Sequence, residues 1–203
     1  MTNRDEPFTL LFHNDSTRHG SVCVFQTDPN VGAEAQTVAW LVKPATPSTS
    51  VFLQWRPQYC FVWAETGELS PGVTVRASQA WPATDHSAIR FTRIRGSYTF
   101  TKETGEGSGG TLSIATDAEI VADQAVIGIG MAELPTFVVP AKPEQSVTFT
   151  PQPSYAIAFG DIVPGEFLSQ ATLENAVALP FSRAATSVLA VLTEDEKWIV
   201  TAR

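Results

Sequence analysis

Stretches rich in Val, Thr, Phe, Tyr and Trp recur along the whole chain at intervals of about 10–15 residues, and Gly, Pro, Asn and Asp separate them. These side chains suit a pleated, half-buried surface. The first half carries such runs at Phe8–His13, Gly20–Gln26, Thr37–Lys43, Ser50–Trp55, Tyr59–Glu65, Gly72–Arg76, Ala88–Ile94 and Ser97–Lys102. The second half adds Gly110–Ala115, Ala125–Ala132, Thr136–Val139, Ser146–Thr150, Tyr155–Gly160, Thr186–Thr193 and Lys197–Ala202. Such a pattern leaves room for little besides stacked β-sheets.

Alternation says which faces are buried. In Ser146–Thr150 and in Ser97–Thr101 the apolar side chains fall on one face and the hydroxyls on the other. The run Tyr59-Cys60-Phe61-Val62-Trp63 is apolar on both, the mark of a central strand covered on each side or of one whose outer face is also used. Ile94-Arg95-Gly96-Ser97 reads as a tight hairpin turn, and Gly105–Gly110 as a hairpin tip. Pro44–Thr49 is too short for a linker and reads as a turn between core strands. One segment suits a helix: Ser169 is an N-cap, Gln170–Ala178 lacks Gly and Pro, Leu168 and Leu173 are spaced for a staple, and Pro180 ends it. The expected fold is therefore all-β: residues 1–203 as a single domain, a two-sheet antiparallel β-sandwich with one short helix near residues 170–178.

Charge narrows the function. The chain has 13 basic and 21 acidic residues, a net −8, with only 17% charged and 43% hydrophobic residues. An acidic surface does not displace counterions from nucleic-acid phosphates, and it does not dock on anionic lipid. No basic segment followed by an apolar stretch opens the sequence, and no apolar run reaches the roughly 18 residues of a membrane span, so a cytoplasmic protein is expected. Cys23 and Cys60 both sit in strand-like runs and are expected as buried thiols rather than a disulfide.

The run Phe8–Ser16 followed by Gly20–Gln26, then Phe61–Gly67, Pro71-Gly72-Val73, Ala77–Ala83, Ile127–Met131 and Thr136–Val139, together resemble the RhiA family, rhizosphere-induced proteins of root-associated bacteria. The resemblance runs over nearly the whole chain. It implies a protein made in quantity in a particular setting and brings no catalytic residue with it. The first run, ending in His13-Asn14, is also similar to small lipid-binding cytolysin sandwiches over that one strand.

The chemistry-bearing motifs are few. His13 and His19 with Asp15 lie in turn-forming sequence without metal-ligand spacing, and Asp117-Ala118-Glu119 with Asp123 lacks a calcium-loop spacing. The glycines of Gly105–Gly110 lead into a strand, not into a helix that could cradle phosphate. There is no Gly-x-Ser-x-Gly elbow, so no catalytic residue, metal or cofactor is expected. Arg90, Arg93 and Arg95 form a basic strand, read either as a charged edge that discourages pairing or as a contact with an acidic face of another copy. Trp81, flanked by Gln79, Asp85 and His86, sits in loop-like sequence and is read either as a plug for the sandwich end or as a stacking platform for a ligand.

Three readings of function stay open at this point. The leading one is a non-catalytic β-sandwich acting by homo-oligomerisation or by binding a partner protein. The others are a module for a glycan or lipid head group at Trp81 and an enzyme of unknown class.

Overall fold

The alternation in Thr49–Trp55, where Val51, Leu53 and Trp55 are buried and Ser50, Phe52 and Gln54 are exposed, is repeated strand after strand. A computed structural model of the chain describes residues 6–27, 35–66, 69–84, 87–103, 110–151, 154–182 and 184–203. In chain order it begins with β1 (Phe8–Asn14), β2 (Gly20–Thr27), β3 (Gln36–Thr37), β4 (Leu41–Ala45), β5 (Thr49–Trp55) and β6 (Tyr59–Ala64). Next come β7 (Gln79–Pro82), β8 (Ala88–Ile94), β9 (Ser97–Lys102), β10 (Leu112–Thr116), β11 (Val126–Met131), β12 (Leu134–Pro140) and β13 (Ser146–Phe149). The chain closes with β14 (Ser154–Gly160), helix α1 (Gln170–Glu174), β15 (Val177–Leu179), β16 (Ser187–Leu192) and β17 (Trp198–Ala202).

The protein is nearly all β, as the sequence leads one to expect, but it holds four sheets rather than two. Sheet I has the order β17-β16-β1-β5, sheet II β15-β14-β2-β4, sheet III β3-β12-β11-β6-β7 and sheet IV β13-β10-β8-β9. Sheets I and II enclose one core, with Leu10, Phe12, Val22, Val24, Leu53 and Tyr155 among its members. Sheets III and IV enclose a second around Phe61, Phe91, Phe100, Ile114, Ile127 and Phe149. The strands of the second pair, apart from β3, all lie between β5 and β14, so one sandwich is threaded into the middle of the other. Pairing is not wholly antiparallel, because β1 runs parallel to β16 and β8 parallel to β10.

Two segments show tertiary context overriding local sequence. Thr37–Lys43 is not one strand: β3 pairs with β12 in sheet III and β4 with β2 in sheet II, and Trp40 lies where the chain crosses between them. The helix begins at the expected N-cap, where Ser169 Oγ accepts from the Thr172 backbone N–H at 3.1 Å, but it ends at Asn175. Val177-Ala178-Leu179 pair with Ile157, Ala156 and Tyr155 of β14 instead, which extends sheet II and buries Leu179 in the core of sheets I and II. Gly72–Arg76 likewise forms only an isolated bridge, Thr74 to Glu166.

Glycine is required where strands crowd or turn. Arg95 and Gly96 carry φ of 52° and 87° in the two-residue β8–β9 hairpin, the backbone such a turn needs. Within β11, a Cβ on Gly128 would collide with the Phe137 carbonyl oxygen of β12.

Candidate association surface

Each sheet has an inner face in a core and an outer face, and the four outer faces are treated differently. That of sheet II (Cys23, Phe25, Ala156, Ala158) is covered by Ala39, Ile162 and Leu168, with Leu173 of α1 packed against them. That of sheet III (Cys60, Val62, Ala64, Val126, Val138) is covered by Val38, Val75 and Phe167. This double cover explains why Tyr59–Trp63 is apolar on both sides. The outer face of sheet IV meets solvent with Ser97, Thr99, Thr101, Ser113, Ser146 and Thr148, joined by Arg90 and, at the hairpin end, by the exposed Ile94; Ser113 Oγ lies 3.2 Å from Thr148 Oγ1.

Sheet I departs from this rule. Its register places Leu11 between Phe52 and Leu189, and Val191 between His13 and Ile199, all on the side away from the core. Phe52 is 53% exposed and Ile199 55%, so about half of each side chain is open to solvent. The other outward residues of these strands are Thr9, Ser50, Gln54, Ser187 and Thr201, so none of the outward strand positions holds Asp, Glu, Lys or Arg; Lys43 of β4 reaches the edge beside Phe52, where its Nζ donates to the Phe52 carbonyl at 2.9 Å. At its rim His13 Nε2 meets Asp15 Oδ1 at 2.9 Å and His13 Nδ1 lies 2.8 Å from Ser50 Oγ. A face of four strands spans on the order of 400 Å², with about 4.8 Å between strands and about 3.3 Å per residue along them.

The residues singled out from the sequence are placed elsewhere. Trp81 is not on a loop: it lies in β7, an edge strand of sheet III, half-buried against the core of sheets III and IV. Gln79 is engaged inside the protein. Its Oε1 accepts from Trp63 Nε1 at 2.8 Å and from the Phe100 backbone N–H at 3.0 Å, which clasps the edge of sheet III to β9 of sheet IV. Asp85 and His86 lie outside the described residues.

Arg90 and Arg93 are not on an edge, because β8 is an inner strand between β10 and β9. Arg90 is held by two carboxylates, with Nη1 donating to Asp117 Oδ1 at 2.6 Å and Nη2 to Glu103 Oε1 at 2.9 Å. These hydrogen bonds hold the guanidinium pKa above its usual value, and they help hold Asp117 below the usual carboxylate range. Arg93 Nε donates to the Gly96 carbonyl and its guanidinium lies 5.7 Å from the Tyr98 ring centroid. Arg95 occupies the exposed hairpin turn. Neither Arg93 nor Arg95 makes an ion pair among the described residues.

Cys23 and Cys60 are free and buried in different sheets, and burial pushes their thiols up to about 12 and about 11. No three His, Cys, Asp or Glu among the described residues converge as a metal-binding group. No helix among them is long and apolar enough to cross a membrane.

A family model described as RhiA matches residues 5–203. This chain belongs to the RhiA family. It is 30% identical over 202 residues to protein RhiA of Rhizobium leguminosarum bv. viciae, covering 94% of this chain and 84% of that protein. No solved structure matches the chain. The signal for the outward face was present in the sequence of this RhiA-family chain, in Leu11, Phe52, Leu189 and Ile199, but alternation cannot say which strands become neighbours.

Proposed function

We propose that this member of the RhiA family is a non-catalytic β-sandwich protein that associates with a second copy of itself through the outer face of sheet I. The observation that carries the reading is the contrast between two solvent-facing sheets of one molecule. Sheet IV meets water mostly with hydroxyls and Arg90, with Ile94 alone exposed at its hairpin end, whereas sheet I presents Leu11, Phe52, Leu189, Val191 and Ile199 together. Exposed apolar patches of a few hundred Å² mark interaction sites.

A second copy suits the face better than a charged partner does. The chain carries net −8, so two copies repel wherever acidic residues face each other. Sheet I offers an uncharged surface on which that repulsion is least, and a two-fold arrangement would place the same patch on both sides. Burying the exposed half of Phe52 and of Ile199 would contribute about 1 kcal/mol each before the cost of association. The arginine contact read from the sequence has less support, since the Arg90 charge is already matched by Asp117 and Glu103. The ligand reading at Trp81 is weakened in the same way, since the Gln79 oxygen is engaged within the fold.

Sedimentation velocity over a concentration series tests the proposal. The wild-type chain is expected to shift from monomer towards dimer as concentration rises. Phe52→Asp should stay monomeric while melting within a few degrees of wild type, because Phe52 lies outside the core. A strict monomer at millimolar concentration would overturn the reading, as would a dimer that Phe52→Asp and Ile199→Glu both leave intact.

A further inference from the structure

An open sheet ends in two edge strands whose outer backbone groups lack a neighbouring strand, and this fold blunts nearly all of its edges. β3, β15 and β13 are only two, three and four residues long. β4 and β7 carry Pro44 and Pro82, each of which removes a donor. In β9 the Phe100 N–H is taken by Gln79 Oε1 at 3.0 Å, and in β5 the Phe52 carbonyl accepts from Lys43 Nζ at 2.9 Å.

The outermost strand of sheet I, β17, has none of these devices. Trp198-Ile199-Val200-Thr201-Ala202 holds no Pro, Gly or charged residue, and its β-branched side chains favour an extended backbone. The Thr193 N–H donates to the Lys197 carbonyl at 2.9 Å and the Arg203 N–H to the Ser187 carbonyl at 2.8 Å, so pairing with β16 runs past both ends of the strand. Backbone groups alternate in direction along an antiparallel ladder. Ile199 and Thr201 therefore bond towards β16, as Lys197 and Arg203 do, and the N–H and C=O groups of Trp198, Val200 and Ala202 point out of the sheet. No described residue bonds to these outward groups.

We propose that this edge is a second self-association site, where β17 of one copy pairs antiparallel with β17 of another across a two-fold axis at Val200. The proposal rests on the face-to-face dimer argued above and extends it: the face joins two copies, and the edge joins such pairs into a tetramer or a longer chain. Setting Trp198 opposite the second copy's Ala202, and Val200 opposite Val200, gives every outward donor an acceptor. Charge selects the same arrangement. It brings Arg203 of each copy beside the other's β16–β17 turn, where Glu194 and Asp195 are exposed and make no ion pair among the described residues. These two acids outweigh Lys197, which stands at the same end, whereas a parallel pairing would set acidic turn against acidic turn. A strand of five residues covers only a few hundred Å², well under the roughly 1,200 Å² of a lasting interface, so the edge acts on copies that the face already holds.

Sedimentation velocity and hydrogen exchange along one concentration series test the site. Wild type is expected to pass from dimer to tetramer or larger, and exchange in the peptide holding Trp198, Val200 and Ala202 should slow at least about tenfold as the larger species form. Face contacts made by side chains alone would leave these amides exchanging freely. Val200→Pro and Ala202→Pro each remove an outward N–H that makes no bond to β16, so both should fold, keep the dimer and lose the larger species. Phe52→Asp should lose dimer and larger species together. Larger species that both proline variants retain would overturn the proposal. So would a wild-type dimer that grows no further at millimolar concentration with its edge amides unprotected, an outcome that leaves the edge to a strand of another protein. A strict monomer would instead remove the face reading, and this one with it.

Discussion

Gln26 of β2 donates its Nε2 hydrogen to Tyr59 Oη of β6 at 2.8 Å, and through this contact the first sandwich is bonded to the second. The junction around it is shared. Tyr59 packs against both cores, and Met131, at the end of β11, is buried in the core of sheets I and II. Trp40 Nε1 donates to the Met131 carbonyl at 3.0 Å, and Tyr155 Oη lies 3.7 Å from Met131 Sδ. Burial holds both tyrosine hydroxyls above the ordinary phenol range, so they remain neutral donors.

The junction makes residues 1–203 a candidate for one cooperative unit despite its two cores. Thermal unfolding followed by far-UV circular dichroism and by tryptophan fluorescence is expected to give coincident curves. Tyr59→Phe removes the Gln26 partner, whose Oε1 is already unsatisfied, and should cost about 1–2 kcal/mol. Two separated transitions in the wild type would show that the sandwiches unfold independently.

Gln79 predicts a structural phenotype where the sequence invited a ligand role. Gln79→Leu leaves Trp63 Nε1 and the Phe100 N–H without their acceptor and should destabilise by about 2 kcal/mol or more. Gln79→Glu keeps an acceptor in place and should recover much of that loss. Denaturant midpoints at constant m-value measure both.

Asp117 gives a pH signature. Its pKa is lowered in the fold, by hydrogen bonds from Thr92 and Arg90 and by the Arg90 charge. A depressed carboxylate stabilises above its unfolded value of 3.8, and that stability is lost as pH falls through the lower folded value. Arg90→Met should therefore cost about 1 kcal/mol or less near pH 7, since the pair is partly exposed to solvent. The gap between variant and wild type should close in urea titrations taken down to about pH 2.

The thiols should be silent in the native state. With Cys23 at about 12 and Cys60 at about 11, little thiolate exists at pH 8, and both side chains are buried. A chromogenic disulfide reagent should titrate two thiols in guanidinium and react only slowly without it. Rapid reaction of either thiol in buffer would contradict the buried placement.

Local pattern was a good guide where a residue's environment depends on its own strand. The Ser146–Phe149 and Ser97–Lys102 alternations, the Arg95-Gly96 turn and the Ser169 cap were all legible, because each rests on side-chain period or backbone conformation within a few residues. The double apolar face of Tyr59–Ala64 also pointed correctly to a strand covered on both sides. Trp81 and Gln79 misled for the opposite reason. Pairing with Phe61 and Trp63 turned an apparent loop into an edge strand, and a neighbouring sheet claimed the amide oxygen.

That Arg18, Asp161, Glu166 and Trp198 gather around one recess was invisible from the sequence, since they meet only when β1–β2, β14 and the β16–β17 hairpin converge. What the residues determined alone was strand character, the inward and outward side of each strand, and an acidic chain of low charge density. What tertiary structure decided was partition: which strands share a sheet, that four sheets form two cores, and that one outer face is left apolar. Side-chain period is set by the bonds of a single strand, whereas neighbours are chosen by long-range burial, and no local pattern records that choice.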